Sequence, residues 1–501
     1  MRLHWRLAKN AIANLGRGSA AAVVALLLPP ILIRHMSPAG YAAWVLALQV
    51  VAYVAYLDFG LQTAVGRYIA FANEKKDAAW RDGIFSTAFA GLTLAAFVGM
   101  LALMAMGIAT HRLFPDVPVN LVAPMRTAML IVGASVALGL PASAWNGVFV
   151  GLQRYEIPAI TTSAGKLLAA VGLIWAAVKG QSLVFMAIIM ASANVFSYVL
   201  QYALLWRVAP EVRFRRELIS PPLVRELSGY CLSLSVWSFS SLLVTGLDLI
   251  LVGRFQFSAV APYAVSATLI TFLAGVQNAV VSVIMPHSAV LHAQGNSRAL
   301  GKLLVRSTVL GFLLLLLTGL PLVIFATAII RVWIGAEFQQ LGGVILSTLV
   351  IANVVRLIGA PYASILVGTG QQRLVTVSPL VEGGTNLLFS IVLGLKYGAT
   401  GVAAGTLIGA VVGMLAHLCY NMPRTRREIL VSIRSFVLAA IGLPALSAIP
   451  LALLAVRSWR GVPASPWLFA SALSITLLSG GAILLYPSFW NSSETAATSS
   501  N

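Results

Sequence analysis

Long apolar runs separated by short polar segments dominate the sequence. A window of about 20 residues, the length of helix that crosses a hydrocarbon core of about 30 Å, finds fourteen such runs. The runs are too long and too continuous for the alternating pattern of a membrane β-barrel, so they predict helices. The predicted spans are 14–34, 41–61, 84–109, 124–150, 157–178, 182–206, 229–252, 262–286, 307–330, 343–368, 374–395, 400–421, 436–456 and 467–486.

Basic residues are distributed unevenly between the segments that join these spans. With the N-terminus placed inside, the inner segments hold 21 Lys and Arg residues and the outer segments hold nine. Because basic segments are retained in the cytoplasm, this asymmetry predicts a multi-pass protein with both termini cytoplasmic. Residues 1–13, which include Trp5 and three basic residues, predict a short interfacial segment, and the polar tail 487–501 predicts disorder.

The composition excludes several classes of protein. Of the 501 residues, 59% are apolar and 9% are charged, against about a quarter charged in a soluble domain, so a water-soluble enzyme is excluded. The net charge of +19 is mainly a topology signal with attraction to anionic lipid as a by-product, and it does not indicate nucleic-acid binding. Cys231 and Cys419 lie in apolar runs and form no metal motif, and no phosphate-binding GxxxxGK[ST] motif is present. The sequence therefore predicts no catalytic residue, no metal and no cofactor.

The two halves of the chain resemble each other. Tyr41 and Tyr263, 222 residues apart, each begin a span, and the related segments GVFVGLQR and ILVGTGQQR end 219 residues apart, at Arg154 and Arg373. An even number of spans, six, separates the copies, so the halves share one orientation about an axis along the membrane normal. The prediction is an all-α membrane protein of about 14 helices with two parallel-repeat six-helix lobes, 14–206 and 229–421, a basic linker, 207–228, and two added helices in 422–486.

Several motifs resemble those of a known transporter family. They are the run LPPILIRHMSPAGYAAWVLALQVVAYVAYLDFGLQTAVGRYIA and the segments DLILVGRF, VAPYAVSATL, MPHSAVLHAQG, VWIGAEF and VGTGQQR. Their order and spacing, from about residue 10 to 421, resemble the polysaccharide-transporter branch of the multidrug/oligosaccharidyl-lipid/polysaccharide exporter superfamily. The resemblance implies a V-shaped, two-lobed flippase of the bacterial inner membrane that works by alternating access.

The resemblance also implies a substrate and partners. The substrate would be an undecaprenyl-diphosphate-linked oligosaccharide, moved to the outer leaflet for O-antigen, capsule or exopolysaccharide assembly. The implied partners are this lipid-linked substrate, membrane lipid and a glycan polymerase or other polysaccharide-assembly proteins. Two alternatives stay open: a cation-coupled drug or metabolite antiporter of the same superfamily, and a non-transporting partner of a glycan polymerase.

Intramembrane charges supply the candidate substrate site, because a diphosphate in hydrocarbon needs compensating cations and hydrogen-bond donors. Each intramembrane charge costs at least about 2.5 kcal/mol at the bilayer centre, so each is expected to face protein or water. Lys166 follows Thr162 by four residues and Arg356 follows Asn353 by three, so each cation shares a helix face with a polar neighbour. These four residues are the predicted substrate site. The alternative is a buried ion pair, with Glu382 as the acidic partner, that holds helices together.

The remaining intramembrane charges predict coupling or structural roles. Glu382 and Asn386, four residues apart in one span, form a polar stripe that would either take up a proton or sodium ion or join an ion pair. Asp58 and Arg17 lie at similar depth near the cytoplasmic ends of neighbouring spans, which predicts a salt bridge or an inner-gate contact.

Asp248 lies near the outer end of its span. We expect it to pair with Arg254 or with another outer basic residue, in a structural role. Histidines are scattered along the chain and show no metal-ligand spacing.

Overall fold

A computed structural model describes residues 26–371 and 377–485, and within these ranges the chain is helical without a strand. The all-α prediction is therefore confirmed. The predicted interfacial segment 1–13, the first part of the span 14–34 and the tail 487–501 lie outside the described residues. The chain divides into two compact units, one taking in residues up to Phe239 with Gln256–Ala261, the other Ser240–Phe255 with the residues from Pro262 onward.

The first unit is built around one long helix. Its helices are α1 (Leu26–His35), α2 (Pro38–Ala55), α3 (Leu61–Lys75), α4 (Ala78–Ile108), α5 (Val119–Gly151), α6 (Glu156–Val178), α7 (Leu183–Val208) and α8 (Pro221–Ser241). The long helix is α5, which packs against α2, α3, α4 and α7, and α6 also packs against α7.

The second unit contains ten longer helices among the described residues. They are α9 (Asp248–Phe255), α10 (Val260–Ala293), α11 (Ser297–Ile324), α12 (Ala326–Ile334), α13 (Gln339–Leu357), α14 (Ala360–Gly368), α15 (Val377–Ala416), α16 (Ile433–Ser447), α17 (Ile449–Trp459) and α18 (Pro466–Leu485). The central helix is α13, which packs against α11, α12 and α15, and α9 also packs against α15. Met422 and Phe436 enter a core with α10, α11 and α14.

Each of the fourteen predicted spans overlaps a described helix, although the helices are less regular than the spans. Ten helices of the described residues are long and apolar enough to cross a membrane, or eleven if α16 and α17, bent by 60°, form one span. The span 229–252 is interrupted by a π-helical turn, Leu242–Gly246. The spans 374–395 and 400–421 both fall within the continuous segment Val377–Arg424.

Local sequence explains where several helices begin. Pro38 opens α2 behind Ser37, whose side chain accepts a hydrogen bond from the Gly40 amide, and Asp77 accepts from the Trp80 amide at the start of α4. Between α2 and α3 the chain turns through Phe59 and Gly60, with φ of 47° and 80°, so the span 41–61 ends in a break rather than continuing as one helix.

Helix α15 is a hairpin of two closely packed arms, broken at Gly398 (φ 59°, ψ −137°). Four glycines at four-residue spacing on the second arm face the first arm. A Cβ on Gly409 would lie 2.8 Å from the Cβ of Asn386, and one on Gly413 would lie 2.7 Å from the Cβ of Glu382, closer than real Cβ atoms approach. This spacing, the small-residue pattern of close membrane helix pairs, lets the backbones touch. The four residues, here called the glycine stripe, are Gly401, Gly405, Gly409 and Gly413.

The predicted membrane orientation is open to a direct measurement. Reporter fusions after Arg216 and after Arg427 should both show a cytoplasmic location, and a fusion after Arg460 should show a periplasmic one, because basic segments stay inside. An odd number of crossings between Arg216 and Arg427 would overturn the assignment of the two six-helix lobes.

Candidate functional site

The second unit contains a buried polar cluster around Asp248. Tyr263 Oη and Thr406 Oγ1 donate to one carboxylate oxygen of Asp248 at 3.2 and 2.9 Å, and the Asn386 amide donates to the other at 3.3 Å. Asp248 is 7% exposed and Asn386 is fully buried. The cluster therefore links the start of α9 to α10 and to both arms of α15 through hydrogen bonds that the carboxylate needs once it leaves water.

Asn386 also contacts the π-helical turn, Leu242–Gly246, that precedes α9. The Asn386 amide donates to the carbonyls of Leu243 and Val244 within this turn, at 3.3 and 2.8 Å. Ser390, one turn further along, donates to the Asn386 side-chain oxygen at 2.9 Å. Asn386 therefore joins the first arm of α15 to the π-helical turn, and the coupling role of Glu382 and Asn386 stays a prediction.

The expected pair between Asp248 and Arg254 does not form in the described part of the chain. Arg254 lies six residues further along and its side chain is exposed, while Asp248 is buried among neutral donors. Six residues turn a helix by about 240° at 3.6 residues per turn, which carries the two side chains to different faces. In this structure the partners of Asp248 are therefore neutral donors rather than Arg254, and its structural role stays a prediction.

Arg356 and Glu382 form an ion pair between α13 and the first arm of α15. Both side chains are 13% exposed. The Asn353 side-chain oxygen accepts from Arg356 Nη1 at 3.0 Å, and its nitrogen donates to the Leu349 carbonyl at 2.9 Å. Arg356 Nη2 is buried and has no hydrogen-bond partner among the described residues. The structure therefore contains the ion pair that was the alternative for Arg356, and Nη2 is the one guanidinium nitrogen without a partner among the described residues.

Lys166 and Thr162 are in α6, in the first unit. Thr162 Oγ1 donates to the Pro158 carbonyl at 2.6 Å, so the hydroxyl is engaged within its own helix. The Lys166 side chain is exposed midway along a candidate span. A lysine at this depth is tolerated where it meets water or protein rather than lipid. The structure thus keeps Lys166 accessible, and its predicted role in substrate binding stays a prediction.

Asp58 caps a helix beside the break between α2 and α3. One carboxylate oxygen accepts from the Gln62 amide at 3.3 Å and from Ser143 Oγ at 3.1 Å, which ties the first turn of α3 to α5. Arg17, its predicted partner, lies outside the described residues. The contacts of Asp58 give it a structural role that does not depend on Arg17.

Replacing Asp58 with alanine should lower the free energy of unfolding by about 1 kcal/mol, because α3 loses its capping acceptor. Asn keeps an acceptor and should cost less. Chemical denaturation in detergent micelles measures both variants. Equal losses for Ala and Asn would show instead that the charge matters, and rescue of Asp58→Arg by Arg17→Asp would then support the predicted pair.

The cluster around Asp248 presents oxygen atoms suited to a proton or a small hard cation. Besides the carboxylate, the Val402 carbonyl accepts from Ser390 Oγ at 3.1 Å and from Thr406 Oγ1 at 3.2 Å, so these oxygens adjoin one another. Carboxylate, hydroxyl and carbonyl oxygens are the ligands of hard cations. No group of three His, Cys, Asp or Glu side chains occurs among the described residues, so a transition-metal site of that kind is not formed there.

Two further features of the fold, one ion-pair cluster and one small-residue contact, do not follow from the apolar pattern. Asp82, 2% exposed, lies 3.1 Å from Arg81 and 3.4 Å from Arg215, which fastens the basic linker to α4. The glycine stripe has a sequence signal, because glycine recurs every four residues in GVAAGTLIGAVVG, but the apolar pattern alone indicates only a span there. A basic and acidic pair separated by 133 residues carries no comparable sequence signal.

Comparison with known proteins identifies the family. A family model described as polysaccharide biosynthesis protein matches residues 7–292, more than half of the chain. The chain belongs to the polysaccharide biosynthesis protein family. The predicted polysaccharide-transporter branch is thereby confirmed. No curated protein sequence matches the chain significantly.

Solved structures show the same fold as this family member. The lipid II flippase MurJ in an inward closed conformation matches with a TM-score of 0.70 and 15% identity, over 95% of this chain and 97% of that one. An inward-facing multidrug resistance MATE family transporter of the MOP superfamily matches with a TM-score of 0.67 and 15% identity, over 85% and 98%. A MOP superfamily transporter from Pyrococcus furiosus matches with a TM-score of 0.58 and 17% identity, over 84% and 94%. The chain is therefore a multi-pass membrane protein with the fold of MOP superfamily transporters.

Proposed function

We propose that the protein is a flippase that moves undecaprenyl-diphosphate-linked oligosaccharide units across the bacterial inner membrane by alternating access. The observation that carries this proposal is the match of more than half of the chain to the polysaccharide biosynthesis family, on a chain with the membrane-transporter fold. A member of this family with a transporter fold would contribute to glycan assembly by moving an intermediate. The products would serve O-antigen, capsule or exopolysaccharide assembly, with a glycan polymerase as the next partner.

The substrate site we propose uses Arg356 and Lys166, with Asn353 and Thr162 beside them. Glu382 holds the Arg356 guanidinium in place and leaves Nη2 buried without a partner among the described residues. A phosphate oxygen would accept from Nη2 once a movement of the helices during transport exposes it. Lys166 adds a cation on an exposed surface of α6. A guanidinium supplies directed donors and an ammonium supplies a compact positive charge, and phosphate oxygens accept from both kinds of group.

A coupling ion is the second part of the proposal. Asp248 and Glu382 are the acids within the membrane part of the second unit, and Asn386 contacts Asp248 directly. Uptake of a proton or sodium ion at Asp248 would change its hydrogen bonds to Thr406 and Tyr263 and so the contacts between α9, α10 and α15. This arrangement also supports the second candidate function, a cation-coupled antiporter of drugs or metabolites, because MATE transporters share the fold.

Deletion of the gene tests the substrate class. We expect a lipid-linked oligosaccharide to accumulate on the inner leaflet and surface glycan to fall, with both restored by the wild-type gene. Labelling of the accumulated lipid by a membrane-impermeant reagent, before and after permeabilisation, gives its sidedness. Unchanged lipid-linked glycans together with increased drug sensitivity would support the antiporter instead.

The variant Lys166→Gln, Arg356→Gln tests the proposed binding residues. Glutamine keeps much of the side-chain bulk while removing the charge that stabilises the diphosphate, so surface glycan should fall. Because Arg356→Gln also leaves Glu382 without its cation, surface glycan is compared at matched amounts of folded protein. Arg356→Lys should keep partial activity, since lysine retains charge but loses the two-pronged donor geometry. Normal surface glycan from the double variant would remove these residues from the substrate site.

A further inference from the structure

A basic segment between α15 and α16 crosses the first turns of α11. We call residues 424–434 the basic strap. The Leu430 amide donates to the Ser297 carbonyl at 3.2 Å, and Gly301 of α11 makes room for the Leu430 carbonyl. Ile429 is 2% exposed and belongs to the same core as Leu300 of α11. The strap is therefore fixed to the helix and is not a free loop.

The outward side of the basic strap is strongly cationic. Its arginines are exposed, and Arg298 on the underlying turn of α11 is exposed as well. Together, the strap and the first three turns of α11 hold seven basic residues and one acidic residue, Glu428. The basic residues are Arg424, Arg426, Arg427 and Arg434 of the strap and Arg298, Lys302 and Arg306 of α11.

Several basic residues outside the strap form ion pairs with acidic side chains. Arg154 lies 3.2 Å from Glu156, and Arg81 lies 3.1 Å from Asp82. Among the described residues, no ion pair includes an arginine of the basic strap, and Arg424 stacks on the Tyr420 ring at 3.5 Å instead. Glu428 is the one acidic residue within the strap, so the four arginines leave it with a net charge of +3.

Two exposed apolar side chains lie between Arg427 and Arg434. Leu430 is 50% exposed and Ile433 is 37% exposed, whereas Ile429 enters the core. The strap joins the predicted spans 400–421 and 436–456, so its two ends lie where the chain is expected to leave and re-enter the hydrocarbon. Arginines mixed with aliphatic side chains at this depth are typical of segments that lie in the lipid headgroup region.

We propose that the basic strap and the first turns of α11 bind the headgroups of anionic phospholipids. Phosphodiester oxygens would accept charge-assisted hydrogen bonds from the strap's guanidinium groups, and Leu430 and Ile433 would contact the acyl chains. The apolar contacts favour a phospholipid of the bilayer over a free phosphate in solution. This site is separate from the proposed substrate residues and does not depend on which molecule the protein transports.

The experiment measures phosphatidylglycerol binding to delipidated wild-type protein and to an Arg426→Gln, Arg427→Gln variant by native mass spectrometry. A cation near an anionic lipid surface contributes about a fivefold change in affinity, so the variant should bind roughly 25-fold more weakly. The control, Arg457→Gln, Arg460→Gln, removes two exposed cations from the end of α17 in the same unit and should leave binding unchanged. Phosphatidylcholine should bind wild type and variant equally.

Three results would overturn the proposal. Unchanged phosphatidylglycerol affinity in the strap variant would show that the strap does not bind it, and an equal loss in the control would show that only total charge matters. Displacement of the lipid by an equal concentration of inorganic diphosphate would show that the strap selects phosphate groups rather than phospholipid. Thermal melting checks folding, because phosphatidylglycerol should raise the melting temperature of the wild type more than that of the strap variant.

Discussion

Replacing Glu382 with leucine should lower the free energy of unfolding by about 3 to 5 kcal/mol, one of the two largest losses that we expect from a single substitution in this chain. Glu382 is the acidic partner of Arg356, and both side chains are 13% exposed. Removal of the carboxylate leaves a guanidinium with little access to water, and the Asn353 oxygen alone replaces only part of the lost interaction. Chemical denaturation in detergent micelles, followed by tryptophan fluorescence, gives the free energy.

The double variant Arg356→Met, Glu382→Leu is the matched control for this prediction. Replacing both members of a buried ion pair with apolar residues is often close to neutral, so stability should return to within about 1 kcal/mol of wild type. Transport by this double variant should be lost, because Arg356, the proposed phosphate donor, has been replaced. A double variant as unstable as Glu382→Leu would show that Glu382 contributes through contacts other than Arg356, and a fully active one would remove Arg356 from the substrate site.

Replacing Gly405 with alanine should lower the free energy of unfolding by about 1 to 3 kcal/mol, in proportion to how far the two arms of α15 must separate. A Cβ on Gly405 would meet the backbone of Ser390, which cannot rotate away as a side-chain end could. The displaced Ser390 would also lose its hydrogen bonds to Asn386 and Val402. The same denaturation experiment measures the loss, and reduced transport is expected with it.

Gly384→Ala is the control for steric crowding, since Gly384 lies on the first arm of the same hairpin and a Cβ there meets nothing within 4 Å. Alanine has the higher helix propensity by about 1 kcal/mol, so this variant should be as stable as wild type or more stable. Equal destabilisation by both substitutions would contradict the close packing of the arms.

The apolar pattern predicted the positions of the helices well because burial in lipid requires continuous apolar helices. It also predicted the separation of the spans 374–395 and 400–421, where the chain breaks at Gly398. The pattern did not reveal the π-helical turn before Asp248, since mean hydropathy is insensitive to a local change in hydrogen bonding. Without that turn, Asp248 was expected near an outer basic residue, whereas it lies among Tyr263, Thr406 and Asn386.

The candidate site was predictable in part. Helical spacing grouped Asn353 with Arg356, and the two are in contact. The same spacing grouped Glu382 with Asn386, but these two residues have different partners, Arg356 and Asp248. Spacing along one helix shows which residues share a face and leaves open which neighbouring helix each one meets. Asp58 illustrates a further limit, because its capping role depends on a break that the apolar pattern does not show.

The packing of the glycine stripe also fixes how much the length of α15 can vary. One inserted residue turns the rest of a helix by about 100°, so an insertion within either arm would move the glycines away from Ser390 and Asn386 and bring larger side chains into the contact. An insertion at the tip, beside Gly398, would lengthen the turn and leave both arms aligned. Natural variation in the length of this region should therefore be confined to the tip, even while its apolar side chains exchange freely.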